Sequence, residues 1–235
     1  MGDSGDHGRR SRPVDVAPLN AASYLDPHYW DERFAAEEHY EWFKDYSHFQ
    51  HLLRPFLNPS HSVLEIGCGN SRLCEELRKD GVADMTCVDI SPVAVERMRS
   101  RFRDKGLEGI KVVQADMLDL PFGSESFDIV IEKGTMDVLF VNSGDPWNPH
   151  PETINKPHFR RPLFERAGFT WSVEWKTFGE GFHYFFYILK KGRRILKSDD
   201  CKNERSGVPS INLLHEELED EDYMFRTTLC DELEN

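Results

Sequence analysis

The stretch Val63-Leu-Glu-Ile-Gly-Cys-Gly-Asn70 decides the fold. The apolar run that begins at Ser62 is typical of a short buried strand, and it stops at a pair of glycines. Residues 71–79 then place Leu73 and Leu77 among charged side chains, as a surface helix does. The pattern predicts a strand, a tight turn and a helix.

The same pattern continues along the chain. Repeated β–α units build a parallel sheet with right-handed crossovers, so an α/β fold is expected. The next predicted elements are a strand at Asp84–Asp89, a helix at Pro92–Arg103, and strands at Ile110–Gln114 and Phe127–Ile131. Two closely spaced β-rich runs, Phe169–Thr177 and Phe182–Leu189, predict an antiparallel pair near the C-terminus.

Composition divides the chain into three parts. Hydrophobic residues are 39% and charged residues 30%, too apolar for wholesale disorder. We expect a disordered leader over 1–22, a folded domain over 23–192 that is irregular over 142–162, and a mostly disordered tail over 193–235. The tail is acidic, since 199–235 carries a net charge of −9 out of −13. The body is nearly balanced, which gives no electrostatic sign of nucleic-acid binding.

Targeting and metal signals are weak in this sequence. No apolar run approaches the roughly 18–20 residues that span a bilayer, and the first residues are polar, so a cytoplasmic protein without a membrane partner is expected. The five cysteines are an odd number without C-x-x-C spacing. They therefore predict reduced thiols and no metal site.

Polar residues follow each of the four predicted parallel strands. Ligands of an open parallel sheet bind beyond the carboxyl ends of its strands. We call the residues at the carboxyl end of each strand its exit. The four exits are Gly67-Cys-Gly69, Asp89, Ala115-Asp116-Met117 and Glu132-Lys133-Gly134-Thr135. They predict one site at this edge of the sheet.

The first two exits favour a nucleoside without a pyrophosphate. The third glycine of the dinucleotide fingerprint is missing, because position 72 is arginine, and there is no Gly-Lys-Ser/Thr loop. Asp89 follows Gly67 at the separation where a carboxylate accepts hydrogen bonds from both ribose hydroxyls. Asp89 could instead cap the helix that begins near Ser91.

Together these motifs resemble a class I S-adenosylmethionine-dependent methyltransferase, with a Rossmann-like sheet. The segments that carry the resemblance are Val63–Asn70, Val88–Asp89, Gln114–Asp116 and Phe127–Asp137. Three further segments are similar to the eukaryotic branch that contains elongation factor 1A lysine methyltransferase 4: Tyr29–Phe34, Glu132–Thr135 and Gly181–Tyr187. The resemblance covers roughly Tyr24 to Gly192.

The resemblance implies S-adenosylmethionine as the cofactor. The residues implied to contact it are three aromatic side chains that cover it and six residues at the strand exits: Trp30, Phe34, Trp42, Gly67, Asp89, Ile90, Asp116, Met117 and Lys133. The three aromatic residues are equally consistent with core packing. Lys133 could also simply pair with Glu132 or Asp137 at the surface.

A protein lysine is the expected methyl acceptor, and elongation factor 1A the expected partner by resemblance. A lysine must be neutral to attack, so a nearby carboxylate has to take its proton. Glu132 and Asp137 are the catalytic candidates by position. The Asn/Asp-Pro-Pro-aromatic motif is absent, which argues against nucleobase methylation. A small-molecule methyltransferase and an inactive binding module of the same fold stay open as alternatives.

One helix–strand unit of the family pattern is missing. In class I methyltransferases a helix and a fifth strand precede the final antiparallel pair. Here 152–156 runs straight into 157–161, with no room for a helix of about 11 residues and a strand of about 5. We therefore expect a sheet without strand five, in which Phe182–Leu189 pairs with strand four or exposes an edge. Low stability and weak or absent activity should follow.

Overall fold

A computed structural model describes residues 18, 21–140, 157–165, 169–180 and 183–192. Most of the predicted leader and all of the predicted acidic tail lie outside these residues. In chain order the helices and strands are α1 (Pro27–Ala36), α2 (Tyr46–Leu53), β1 (Ser62–Ile66), α3 (Leu73–Lys79), β2 (Asp84–Asp89), α4 (Pro92–Asp104), β3 (Ile110–Gln114), β4 (Ile129–Glu132), α5 (Pro157–Phe164), β5 (Ser172–Phe178) and β6 (Tyr184–Lys190). None of the described helices is long and apolar enough to cross a membrane.

A parallel sheet with the strand order β3-β2-β1-β4 forms the centre of the fold. Residues Ser62 to Ile66 of β1 lie beside Asp84 to Val88 of β2 on one side. On the other side, the same strand pairs with β4, from Val63 beside Ile129 to Ile66 beside Glu132. The sequence prediction of a parallel α/β sheet is confirmed, and all four predicted strand exits lie at one edge.

The core lies between the sheet and the helices α2, α3 and α4. Strand β2 is buried at every position after Asp84, as expected for a central parallel strand. Helix α4 contributes Val95, Met98 and Phe102, all at most 2% exposed. These side chains recur every three or four residues, so one helix face covers the strands.

Local capping explains where the helices begin. The side chains of Asp26, Asp45 and Ser91 accept hydrogen bonds from backbone N–H groups in the first turns of α1, α2 and α4. Proline follows the cap in α1 and α4, at the position where its missing N–H costs nothing. Ser91, not Asp89, therefore caps α4, which leaves Asp89 for another role.

Strands β5 and β6 form a separate antiparallel sheet, in register from Ser172 beside Lys190 to Phe178 beside Tyr184. Among the described residues, no strand lies between this pair and β4. The outer edge of β4 has no strand partner there, and Val130 is 55% exposed. The antiparallel pair is confirmed, and of the two outcomes expected for Phe182–Leu189, the described part of β6 does not pair with β4.

Aromatic contacts attach the antiparallel pair to the rest of the domain among the described residues. Phe178 and Phe186 lie against Phe49 of α2, with ring centroids 5.8 and 6.4 Å apart. On the opposite face, the ring of Phe164 in α5 lies 5.7 Å from that of Tyr187. The pair is thus packed between α2 and α5.

Helix α5 corrects one prediction. The sequence predicts irregular structure over 142–162 because of the prolines there. Residues 142–156 lie outside the described residues, but 157–162 belong to α5, which spans Pro157–Phe164 with Pro162 inside it. Pro157 stands at the first helical position, where proline is tolerated. The buried Arg160 forms an ion pair with Asp137, and this contact together with Phe164 holds the helix in place. Tertiary contacts outweigh the local effect of Pro162.

Candidate cofactor and methyl-transfer site

The glycine turn after β1 allows close approach to its backbone. Gly67 and Gly69 have φ angles of +65° and +48°, a region that side chains disfavour. A Cβ on Gly67 would overlap the side chain of Thr135, and one on Gly69 would lie 3.0 Å from the Phe34 ring. Only glycine therefore fits at both positions, and side chains from α1 and from the β4 exit meet over this turn.

Asp89 at the end of β2 fixes the glycine turn from below. Its Oδ2 accepts a hydrogen bond from the Gly69 N–H at 2.7 Å, and its Oδ1 accepts one from the Ser91 N–H at 2.9 Å. Burial raises the pKa of this carboxyl, while the two N–H donors act to lower it. An ionised carboxylate accepts about four hydrogen bonds. Asp89 therefore keeps acceptor capacity for a ligand diol.

Thr135 connects the β4 exit to the glycine turn. Its hydroxyl lies 3.2 Å from the Ile66 carbonyl oxygen and 3.4 Å from that of Gly67, and it donates to these acceptors. Thr135 belongs to the Glu132–Thr135 motif, which by itself predicts no role for this side chain. The contact is visible only when β1 and β4 are neighbours, so sequence spacing could not reveal it.

The three predicted aromatic cover residues lie together beside the glycine turn. Trp30 stacks on Phe34 with ring centroids 5.7 Å apart, and Trp42 meets Trp30 edge-on at 6.1 Å. The indole N–H of Trp30 donates to the Tyr24 carbonyl oxygen at 2.8 Å, which orients the ring. Phe34 is buried against Gly69, so it serves both as packing and as a wall of the site.

Arg33 is a site residue that the sequence analysis missed. Its guanidinium lies 4.9 Å from the Tyr40 ring centroid and 4.8 Å from that of Trp42. It also pairs with Glu37 at 3.2 Å, one helical turn further along, and donates to the Tyr29 hydroxyl at 3.1 Å. The i, i+4 spacing of Arg33 and Glu37 was the available signal. Arg33 fixes the segment after α1 against the aromatic cluster.

Lys133 lies at the β4 exit, as predicted, but its ammonium group binds protein. It donates to the Glu41 carboxylate at 2.8 Å and to the Trp42 carbonyl oxygen at 3.0 Å. The alternative expectation of a surface pair with Glu132 or Asp137 is wrong. The true partner, Glu41, is far away in sequence and was not a candidate.

The third strand exit is the most open part of the site. Asp116 is exposed, and its Oδ1 accepts a hydrogen bond from the Leu118 N–H at 2.8 Å. Ile90 is 38% exposed, and Met117 is partly buried. The Ala115 N–H donates to the Asp89 carbonyl oxygen at 3.0 Å, which places this exit beside that of β2. The roles of these residues at an adenine ring remain predictions.

The two predicted catalytic carboxylates lie at the β4 exit in different surroundings: Glu132 is the last residue of β4, and Asp137 lies in the short 3-10 helix Met136–Phe140. The Oε1 of Glu132 accepts a hydrogen bond from the Met136 N–H at 2.6 Å, and burial raises the pKa of Glu132. Asp137 forms an ion pair with the buried Arg160 of α5. Glu132 is therefore the better proton acceptor of the two, because a raised pKa favours taking up a proton near neutral pH.

A buried acid and three buried thiols lie in and around the glycine turn. Glu65 is 2% exposed, and the Cys74 thiol donates to its Oε2 at 2.8 Å. Burial raises the pKa of Glu65 to about 7, with the Cys74 hydrogen bond opposing it. Cys68, Cys74 and Cys87 are buried and unbridged, as predicted for these three. No group of metal-binding side chains occurs among the described residues.

The residues present fit S-adenosylmethionine. Gly67 and Gly69 offer bare backbone where a Cβ would clash, so this turn accepts close neighbours. The Asp89 carboxylate lies beside this turn at the end of β2, where a ribose hydroxyl is expected, and the aromatic cluster borders the same turn. With the strand order β3-β2-β1-β4, these features define a class I S-adenosylmethionine-dependent methyltransferase.

A matching family model and two relatives agree with this class. A family model described as a methyltransferase domain matches residues 63–143. EEF1A lysine methyltransferase 4 of Bos taurus is 34% identical over 79% of this chain and 83% of the relative. The same-named protein of Mus musculus is 35% identical over 76% and 80%. The solved structure of a geranyl diphosphate methyltransferase in complex with SAM matches 35% of each chain at 20% identity, with a TM-score of 0.33.

The chain belongs to the family of EEF1A lysine methyltransferase 4, because the similarity covers most of this chain and most of these relatives. It is a methyltransferase that uses S-adenosyl-L-methionine.

Proposed function

We propose that this chain methylates a lysine side chain of a protein, and that the protein is elongation factor 1A. The observation that carries the proposal is the similarity to proteins named EEF1A lysine methyltransferase 4. The site supports it with a partly buried carboxylate of raised pKa at the β4 exit, beside the glycine turn. Such a group suits a lysine acceptor, which must lose a proton before it attacks.

Different residues bind the cofactor, exclude water and remove the proton of the lysine. The cofactor, when bound, supplies an electrophilic methyl group on a sulfonium. Gly67, Gly69 and Asp89 bind and orient the cofactor, and the aromatic cluster around Trp30 excludes water from it. Glu132 takes the proton of the lysine ammonium at a carboxylate oxygen, and the ion pair with Arg160 holds Asp137 beside it.

Transfer of label from tritiated S-adenosylmethionine tests the proposal. The full chain is incubated with purified elongation factor 1A, with whole-cell protein extract, and with the small-molecule fraction of the same cells. We expect label in elongation factor 1A, located at a lysine by mass spectrometry. Label only in the small-molecule fraction, or only in another protein, would contradict the proposal.

The variant Glu132→Gln tests the role of the carboxylate. It keeps the acceptor for the Met136 N–H but cannot take a proton, so the rate of transfer should fall by about 100-fold or more. Glu174→Gln is the matched control, since Glu174 is an exposed carboxylate on β5 that pairs with Lys190. Equal rates for both variants would remove Glu132 from the mechanism.

A further inference from the structure

Residues 41–43, here called the strap, lie between α1 and α2 and cross from the aromatic cluster to the β4 exit. The Glu41 carboxylate accepts hydrogen bonds from Lys133 Nζ at 2.8 Å, the Arg72 N–H at 2.6 Å and the Ser71 hydroxyl at 3.0 Å. One carboxylate thus joins the strap to the residues before α3 and to the loop after β4.

The Glu41–Lys133 ion pair is shielded from water. Each side chain is 14% exposed, so the attraction between the two charges is screened less than at the surface. Burial alone would raise the pKa of Glu41, but the hydrogen bond and charge of Lys133, with the Arg72 and Ser71 donors, lower it. Glu41 is therefore ionised at neutral pH. The loss of Lys133 would leave a buried negative charge without its cation.

Phe43 shows that the strap is held firmly. Its φ angle is +64°, a conformation that is unfavourable for a bulky side chain. Its ring lies over Gly134, where a Cβ would come within 2.7 Å, and its centroid is 5.8 Å from that of Tyr184 in β6. Strained backbone of this kind persists only where the surroundings fix it. The strap is thus fixed at Glu41 and at Phe43, on both sides of Trp42.

Trp42 connects the strap to the aromatic cluster. Lys133 donates to the Trp42 carbonyl oxygen, and the Trp42 ring meets both Trp30 and the Arg33 guanidinium. Whatever holds the Trp42 backbone therefore also holds one side of the aromatic cluster beside the glycine turn.

We propose that the Glu41–Lys133 ion pair is a clamp that fixes the aromatic cover in the conformation that binds S-adenosylmethionine. Glu41 is a positioning residue, since it acts through Lys133 and Trp42. Lys133, which the resemblance also implies as a cofactor contact, takes part in the clamp through its ammonium group. The proposal concerns cofactor binding and does not depend on which protein accepts the methyl group.

Calorimetry of S-adenosylmethionine binding to the full chain tests the clamp. Lys133→Met keeps the length of the side chain but removes the charge and the donors, and it should weaken affinity about 10-fold. Lys133→Arg keeps both and should restore most of the affinity. Glu41→Gln keeps an acceptor for Arg72 and leaves Lys133 in place, so it should weaken affinity measurably, though less than Lys133→Met. Parental affinity in Glu41→Gln beside a loss in Lys133→Met would mean that Lys133 acts by direct contact, and would overturn the clamp. The matched control is Lys191→Met, which breaks the exposed Lys191–Glu125 pair and should change nothing.

The outcomes separate the clamp from general stability. Far-UV circular dichroism shows whether each variant is folded, and if Lys133→Met is not, Glu41→Gln and Lys133→Arg decide. If Lys133→Met is folded and binds S-adenosylmethionine with the affinity of the parent chain, the clamp is overturned. The clamp is also overturned if Lys133→Met loses affinity and Lys133→Arg is equally weak. A parent chain that does not bind S-adenosylmethionine also overturns it. Absence of transfer to elongation factor 1A, with affinities as expected, refutes only the proposed substrate.

Discussion

Replacing the buried Glu65 by glutamine should stabilise this protein, and more so as the pH rises. Glu65 is 2% exposed, and burial raises its pKa from 4.5 to about 7. Between these pH values the native state keeps a proton that the unfolded chain has released, so stability falls as the pH increases. At about 1.4 kcal/mol for each pH unit, the loss totals about 3.5 kcal/mol above pH 7.

Glutamine avoids this loss because it is neutral at every pH. Its side-chain oxygen can still accept the hydrogen bond that the Cys74 thiol donates to Glu65 at 2.8 Å. The stability advantage of Glu65→Gln over the parent should therefore grow by about 2.5 kcal/mol between pH 5 and pH 8. Urea unfolding at a series of pH values, without cofactor, measures it.

The control is Glu174→Gln, whose carboxyl is exposed and paired with Lys190. That ion pair lowers the pKa of Glu174, so its replacement should give no stability gain at high pH. If the difference between Glu65→Gln and the parent is constant across the pH range, Glu65 is not a buried acid of raised pKa, and the reasoning fails.

Two further predictions concern the cofactor and the missing helix–strand unit. Asp89→Asn can accept from only one of the Gly69 and Ser91 N–H groups, and should weaken S-adenosylmethionine binding by about 1–3 kcal/mol in calorimetry. Unchanged affinity would remove Asp89 from the ribose site. Inserting a relative's helix and fifth strand between residues 156 and 157 should raise the melting temperature by about 10 °C and increase methyl transfer. Equal values for both chains would show that nothing essential is missing.

The sheet and its strand exits were predictable because their signals are local. An apolar run that ends at a glycine or an acidic residue indicates a parallel strand and its exit, whatever the rest of the chain does. The predicted strand at Asp84–Asp89 and that at Ile110–Gln114 match β2 and β3 end to end. The position of Asp89 at the end of β2 follows from this pattern, and its predicted ribose contact follows from its separation from Gly67 along the chain.

The contacts that assemble the site were not predictable, because they join distant parts of the chain. Glu41 lies in a loop between two helices, and nothing near it in sequence indicates that it binds Lys133. Thr135 reaches the Gly67 backbone only because β4 pairs with β1. Helix α5 was missed for a related reason, since its prolines are local signals whereas the Arg160–Asp137 pair is not.

The two halves of the domain differ in how well they are buried, and this difference bears on activity. Strands β1 and β2 are enclosed, with Met85 and Cys87 0% exposed, whereas Val130 of β4 is 55% exposed although β4 is hydrogen-bonded to the central β1. The glycine turn and Asp89 belong to the enclosed half. Glu132 ends β4, and α5, which holds Asp137, packs on the separate β5–β6 pair. The proposed ribose contact therefore lies in the well-packed half, whereas Lys133, which holds the aromatic cover, and Glu132 lie at the end of a strand with an open edge. Because misplacing a catalytic group by about 1 Å can cost about 100-fold in rate, the open edge of β4 among the described residues should reduce turnover more than it reduces cofactor affinity.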